Sequence, residues 1–177
     1  MLLSASDSTL LIVDMQGRLM PVIHDGESVL NAAHKLAQAA RLLDVPVAAT
    51  EHHARMLGAT VEPLRAQVQS TFQKMHFSSA LEPGFDGWLP AARKTILVAG
   101  CEAHICVLQT VIGLIDLGYH AVLVADAAGS RKPSDHHAAL RRARAHGAEI
   151  VTSEMAIFEW MRTCEHPRFR EVLRLVK

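Results

Sequence analysis

The stretch KTILVAGCEAHICVLQTVIGLIDLGYHAVLVAD, residues 94–126, decides the fold. It opens on a short apolar run, KTILVAG (94–100), and closes on a second, YHAVLVAD (119–126). Runs of this length, rich in Val, Ile and Leu and without polar alternation, fit strands buried on both faces. Between them AHICVLQTVIGLIDL (103–117) is apolar on nearly every side. It reads as a buried helix, with Gly118 where a C-terminal cap is expected. A strand, a helix and a strand in succession imply parallel pairing.

The same alternation runs outward in both directions. Upstream, TLLIVD (9–14), VPVAAT (45–50) and the weaker STFQ (70–73) read as strands, with a helix over 27–43 between the first two. Residues 51–70 read as a long polar loop with a helical piece around VEPLRAQV, and FDGWLPAA (85–92) as a short helix. Downstream, SDHHAALRRARAHG (134–147) reads as a helix with a Ser134 N-cap and a closing Gly147. AEIVT (148–152) is a sixth strand, a helix starts at Ser153, and a last one covers 167–176. The expected fold is α/β: one domain over 1–177, with a six-stranded parallel sheet in the Rossmann-like order 3-2-1-4-5-6 and helices on both faces.

Composition narrows the function classes. Half of the residues are hydrophobic, so a substantial core is expected. Lys plus Arg equals Asp plus Glu at 18 each, which gives no electrostatic footprint for nucleic acid or an anionic membrane. The stripe Arg141, Arg142, Arg144 reads as a solvated helix face. The start, MLLSASDSTLLIVD, lacks a basic region and is broken by Asp7 and Asp14, so no signal peptide is read there. Three cysteines without framework spacing fit a reduced, cytoplasmic protein.

Open parallel sheets bind ligands beyond the carboxyl ends of their strands. Asp14, residues 50–53, 73–76, 100–106 and 126–131 stand at those ends. Cys106 lies near the first turn of the 103–117 helix, where unpaired N–H groups and the helix dipole favour thiolate. His104 is two residues away, and residues so spaced on a helix do not face each other. Asp14 and Lys74 close the first and third strands. A carboxylate beside a thiol can take its proton, and an ammonium can stabilise the charge that forms. Cys106 as a small packed hydrophobe is the plain alternative.

LLIVDMQ, TFQKMHFSSA, GCEAHICVLQT, VADAAGSR and TSEMAIFE, in this order, resemble the isochorismatase-like cysteine hydrolases over residues 8 to 160. That resemblance implies the six-stranded sheet, hydrolysis of a small molecule, and a triad of Asp14, Lys74 and Cys106. It also implies a cis peptide between Cys101 and Glu102, with the amides of Glu102 and Cys106 receiving an oxyanion. An amide C–N bond is the expected target, cleaved through a thioester, and an ester or thioester fits the same site. A homo-oligomer is expected, with no cofactor.

The nicotinamidase branch of that family carries an Asp-x-His metal motif after the second strand. Here the stretch is ATEHHARMLG, with His52 where the metal Asp would stand, so no metal is expected. Adjacent histidines such as His52 and His53 point to opposite faces of an extended segment. His53, Phe77, Trp88 and His104 are candidate pocket residues. Arg131 either orders its loop or meets a substrate carboxylate. Two other functional classes stand beside the hydrolase: a thiol redox protein using Cys101 and Cys106, whose spacing is not C-x-x-C, and a catalytically idle interaction protein on the same fold.

Overall fold

Residues 1–177 are all described by the computed structural model. Six strands, β1 (Ser8–Val13), β2 (Val47–His52), β3 (Ser70–Lys74), β4 (Thr95–Cys101), β5 (His120–Gly129) and β6 (Glu149–Val151), alternate with helices. The helices are α1 (Gly26–Leu42), α2 (Ala54–Leu57), α3 (Phe85–Trp88), α4 (Leu108–Asp116), α5 (Pro133–Ala145), α6 (Ser153–Met161) and α7 (Phe169–Val176). The strands form one parallel sheet in the order β3-β2-β1-β4-β5-β6.

Period-two side-chain alternation divides the core between the two faces. Leu10 and Ile12 of β1 pack with α1, α6 and α7 through Ala33, Leu36, Ile157 and Val172. Leu11 and Val13 pack on the opposite side with Val107, Val111 and Leu114 before and along α4, and with Ala139 and Ala143 of α5. Every residue of β1 is buried, as a central strand covered on both faces requires.

Several boundaries differ from the sequence expectation, each for a local reason. β2 starts at Val47 because the Val45 N–H closes α1 on Ala40 O, and Pro46 has no N–H to give. No helix forms over 61–68, where Pro63 removes a donor; the helical turn is α2, nearer β2. α3 stops at Trp88 because Leu89, ahead of Pro90, is extended. α5 starts at Pro133 with Lys132 as N-cap, so Ser134 lies inside the first turn; proline suits that first position. The 103–117 segment splits into a π turn, Ala103–Val107, and α4. α4 is also not buried all round, since Gln109 is exposed and Ile112 and Ile115 are half-buried.

Candidate active site

The ends of β1, β2 and β3 bring together three polar side chains. Asp14 follows β1 with a left-handed φ of 52°, uncommon for a residue with a Cβ. Its Oδ1 accepts from Thr50 Oγ1 at 2.8 Å, and its Oδ2 accepts from Lys74 Nζ at 2.6 Å. Asp14, Thr50 and Lys74 are all buried. Lys74 Nζ also donates to the carbonyls of His76 (3.1 Å) and Phe77 (3.0 Å), so its three protons are used. A buried ion pair persists only where further hydrogen bonds offset the desolvation of both charges, and these bonds supply that. No proton of Lys74 is left for the sulfur, so the ammonium acts on Cys106 through its charge.

β4 brings the cysteines to the same end of the sheet. Gly100 pairs with Val13, and a Cβ on it would stand 2.1 Å from Val13 O. Only glycine allows that approach, and its φ of 138° agrees. The peptide joining Cys101 to Glu102 is cis. Cys106 then lies in the π turn, 6% exposed. π turns recur at functional positions because they re-aim one side chain within a helix.

The electrostatics of Cys106 correct the sequence expectation of a depressed pKa. Burial pushes the thiol up to about 12, and the Asp14 charge adds to this while Lys74 opposes it. Cys106 sits in a π turn ahead of α4, and burial outweighs any help from the helix terminus. The resting group is therefore a thiol. A thiol so buried ionises only with help from a base, and of the two carboxylates whose charge reaches it, Asp14 weighs more than Glu102.

The other candidate residues divide clearly. His53 caps α2, donates its N–H to Lys74 O, and lines a cleft of about 360 Å³ with Arg55, Gln73, Lys74 and Glu82. Phe77 is half exposed and packs on His52 at 5.3 Å between ring centroids. Burial, followed by the Lys74 charge, lowers the His52 pKa. His104 Nδ1 meets Ser130 Oγ at 2.9 Å and fixes the π turn to the loop after β5. Arg131 Nε donates to Glu102 Oε1, while the rest of its guanidinium stands on a half-exposed side chain. Trp88 is half-buried and packs on Phe72 and Phe85 against the core. A larger cleft, about 490 Å³, lies between α1 and α5 and holds none of Asp14, Lys74 or Cys106.

Sequence reasoning missed Thr50 and Gln16. Thr50 orients the Asp14 carboxylate. Gln16 ties the β1 end to the β2 end, accepting from His52 N–H and donating to the carbonyls of His52 and Gly58. Threonine in a strand is ordinary, so no sequence signal separated Thr50 from its neighbours.

Residues 8–155 match the isochorismatase domain model. Isochorismatase domain-containing protein 2 of Bos taurus is 38% identical over 172 residues, covering 96% of this chain and 83% of that protein. Among solved structures, the Mar1 ribonuclease of Caenorhabditis elegans superposes with a TM-score of 0.92 at 31% identity, covering 99% of this chain and 92% of that one. The YcaC gene product of Escherichia coli, described as an octameric hydrolase of unknown specificity, gives 0.86 at 21% identity, covering 98% and 95%. At that identity the last likeness speaks for the fold alone.

Proposed function

The chain belongs to the isochorismatase family of hydrolases, and from that premise we propose that it is a small-molecule cysteine hydrolase that cleaves an amide C–N bond through a thioester on Cys106. The observation that carries the proposal is the buried Asp14 carboxylate, fixed by Thr50 and Lys74, acting on the Cys106 thiol. The sulfur attacks the amide carbonyl while its proton passes to Asp14. The oxyanion is received by the amides of Glu102 and Cys106, where aimed donors stabilise a tetrahedral centre. The C–N bond then breaks as Asp14 gives its proton to the leaving nitrogen. Water attacks the thioester, losing a proton to Asp14, and the acid leaves as the sulfur is reprotonated.

Lys74 holds the carboxylate in place and offsets part of the negative charge that forms on the sulfur. A thiol redox role gains little support. Cys101 is fully buried, its thiol is pushed up to about 12 by burial, and its sulfur meets Met20 Sδ at 3.7 Å rather than Cys106. RNA cleavage gains little either, because Lys74, the cation that acts on Cys106, is committed to Asp14 and two carbonyls. The substrate is then a small acyl compound. Its working form is a cytoplasmic homo-oligomer, a reading supported by three free cysteines and by exposed Met75, Phe77 and Leu81. No helix is long and apolar enough to cross a membrane.

The test is a panel of small amides, esters, thioesters and short RNA, run with wild type and Cys106→Ala. Acid quenching and mass spectrometry of the wild type should show an acyl adduct on Cys106. Equal turnover of any panel member by Cys106→Ala would remove the covalent mechanism for it.

A further inference from the structure

Residues 78–80 have no role in the chemistry above, yet they are bonded to the helix that follows Cys106. Ser78 Oγ donates to Gln109 O at 3.0 Å. The Ser79 N–H donates to Thr110 Oγ1 at 3.0 Å, and Thr110 Oγ1 donates to Ser79 Oγ at 3.2 Å. Ser78, Ser79 and Thr110 are all buried. Ala80 packs so closely on α4 that a Cβ at Gly113 would stand 2.5 Å from its Cβ. This strap begins where Lys74 is cradled, since the carbonyls of His76 and Phe77 take two of the three ammonium protons. Glu82 closes its far end by accepting from the N–H groups of Met75 and His76, both at 2.9 Å.

We propose that Thr110 is a positioning residue: by holding the 78–80 strap on α4, it fixes the carbonyl cradle of Lys74 relative to the helical segment that carries Cys106. Thr110 lies in the first turn of α4, directly after the π turn that holds Cys106. With Ser78, its hydroxyl thus links the segments of the ammonium and the sulfur, which stand 32 residues apart (106 − 74). Asp14, Lys74 and Glu102 are the charges that act on Cys106, and Lys74 alone pulls its pKa down. A loosened cradle weakens that pull. The proposal rests on the reading of Lys74 and Cys106 as partners, but its test needs no substrate.

The test is alkylation by iodoacetamide, followed at each cysteine by mass spectrometry across pH 6 to 10 (a range chosen around the roughly 8.5 of a free thiol). Exposed Cys164 is the internal reference. Thr110→Val keeps the shape but strands the Ser79 N–H. Its Cys106 profile should move up by about one pH unit, a rate about tenfold lower at a given pH. Thr110→Ser, which keeps the hydroxyl, should restore the wild-type profile. Gly113→Ala approaches from the other side by wedging Ala80 away, and should slow Cys106 in the same direction. A wild-type profile in Thr110→Val overturns the proposal whatever its melting temperature. If that variant does not fold, a wild-type profile in Gly113→Ala overturns it. A silent substrate panel would strike the hydrolase reading and leave this profile readable, so the two failures are separable.

Discussion

Cys101 and Cys106 stand five residues apart at one end of the sheet, and burial pushes both thiols up to about 12. By exposure and acidity they are nearly twins. Their surroundings differ in kind. Around Cys101 the second influence after burial is a single backbone N–H, from Gly129, and the sulfur rests on Met20. Around Cys106 the next influences are two opposed charges, Asp14 and Lys74, that are bonded to each other. A raised pKa therefore does not mark the nucleophile. What sets Cys106 apart is the bonded Asp14–Lys74 pair, a carboxylate and a counter-charge of the kind a proposed nucleophile needs.

The largest expected effect divides the two cysteines directly. Cys106→Ser should lower turnover of any amide or ester substrate by about 10⁴-fold or more, the scale of losing a nucleophile from a coupled site. Cys101→Ser should cost about tenfold or less, since its side chain only fills the turn. Steady-state kinetics on both variants decides this. Similar losses in the two would erase the distinction and move attention to the turn as a whole.

A second prediction uses the opposite signs of the two charges. Asp14→Asn removes the charge that raises the Cys106 pKa and leaves Lys74 to lower it. Alkylation, which needs thiolate but no base, should then speed up at Cys106 by about tenfold for each unit of fall. Hydrolysis should slow by about 10²-fold or more, because the group that carries the proton to the leaving nitrogen is gone. Cys101, where Asp14 is the last of the influences, should barely change. Parallel changes in alkylation and hydrolysis would count against Asp14 as the base.

The contrast also explains what the sequence could carry. TLLIVD and KTILVAG announce central strands because a strand buried on both faces must be apolar throughout. Their apolar residues then serve two cores, as Leu10 and Leu11 do. The strand-end rule placed Asp14, Lys74 and Cys106 at one end of the sheet. The π turn was not legible, because its bonding depends on how β4 enters the helix and not on local propensity. The direction of the Cys106 shift was misread for a related reason: a helix start is visible in sequence, whereas the burial that outweighs it comes from packing. Trp88 was assigned to a pocket from its position near a loop; the sequence did not show that Phe72 and Phe85, from β3 and α3, pack on it against the core.

The smallest expected effect tests whether the two thiols really share their burial. An unfolded cysteine ionises near 9, while both folded thiols hold their protons to about 12. Between those values the unfolded chain binds fewer protons than the folded one, so stability falls as pH rises. Below pH 9 this contribution is fully present. Each thiol should add a slope of about 1.4 kcal/mol per pH unit across that window. Tyr119, also raised to about 12, contributes equally in wild type and in cysteine variants and so cancels from their comparison. Urea midpoints from pH 8 to 11 for wild type, Cys101→Ala and Cys106→Ala should show each variant losing one share of the alkaline decline. If only Cys101→Ala flattens the curve, the Cys106 thiol ionises in the folded protein more easily than its burial implies. Lys74 would then offset burial and Asp14 together at the sulfur, and the folded thiol would ionise near the value of an unfolded one.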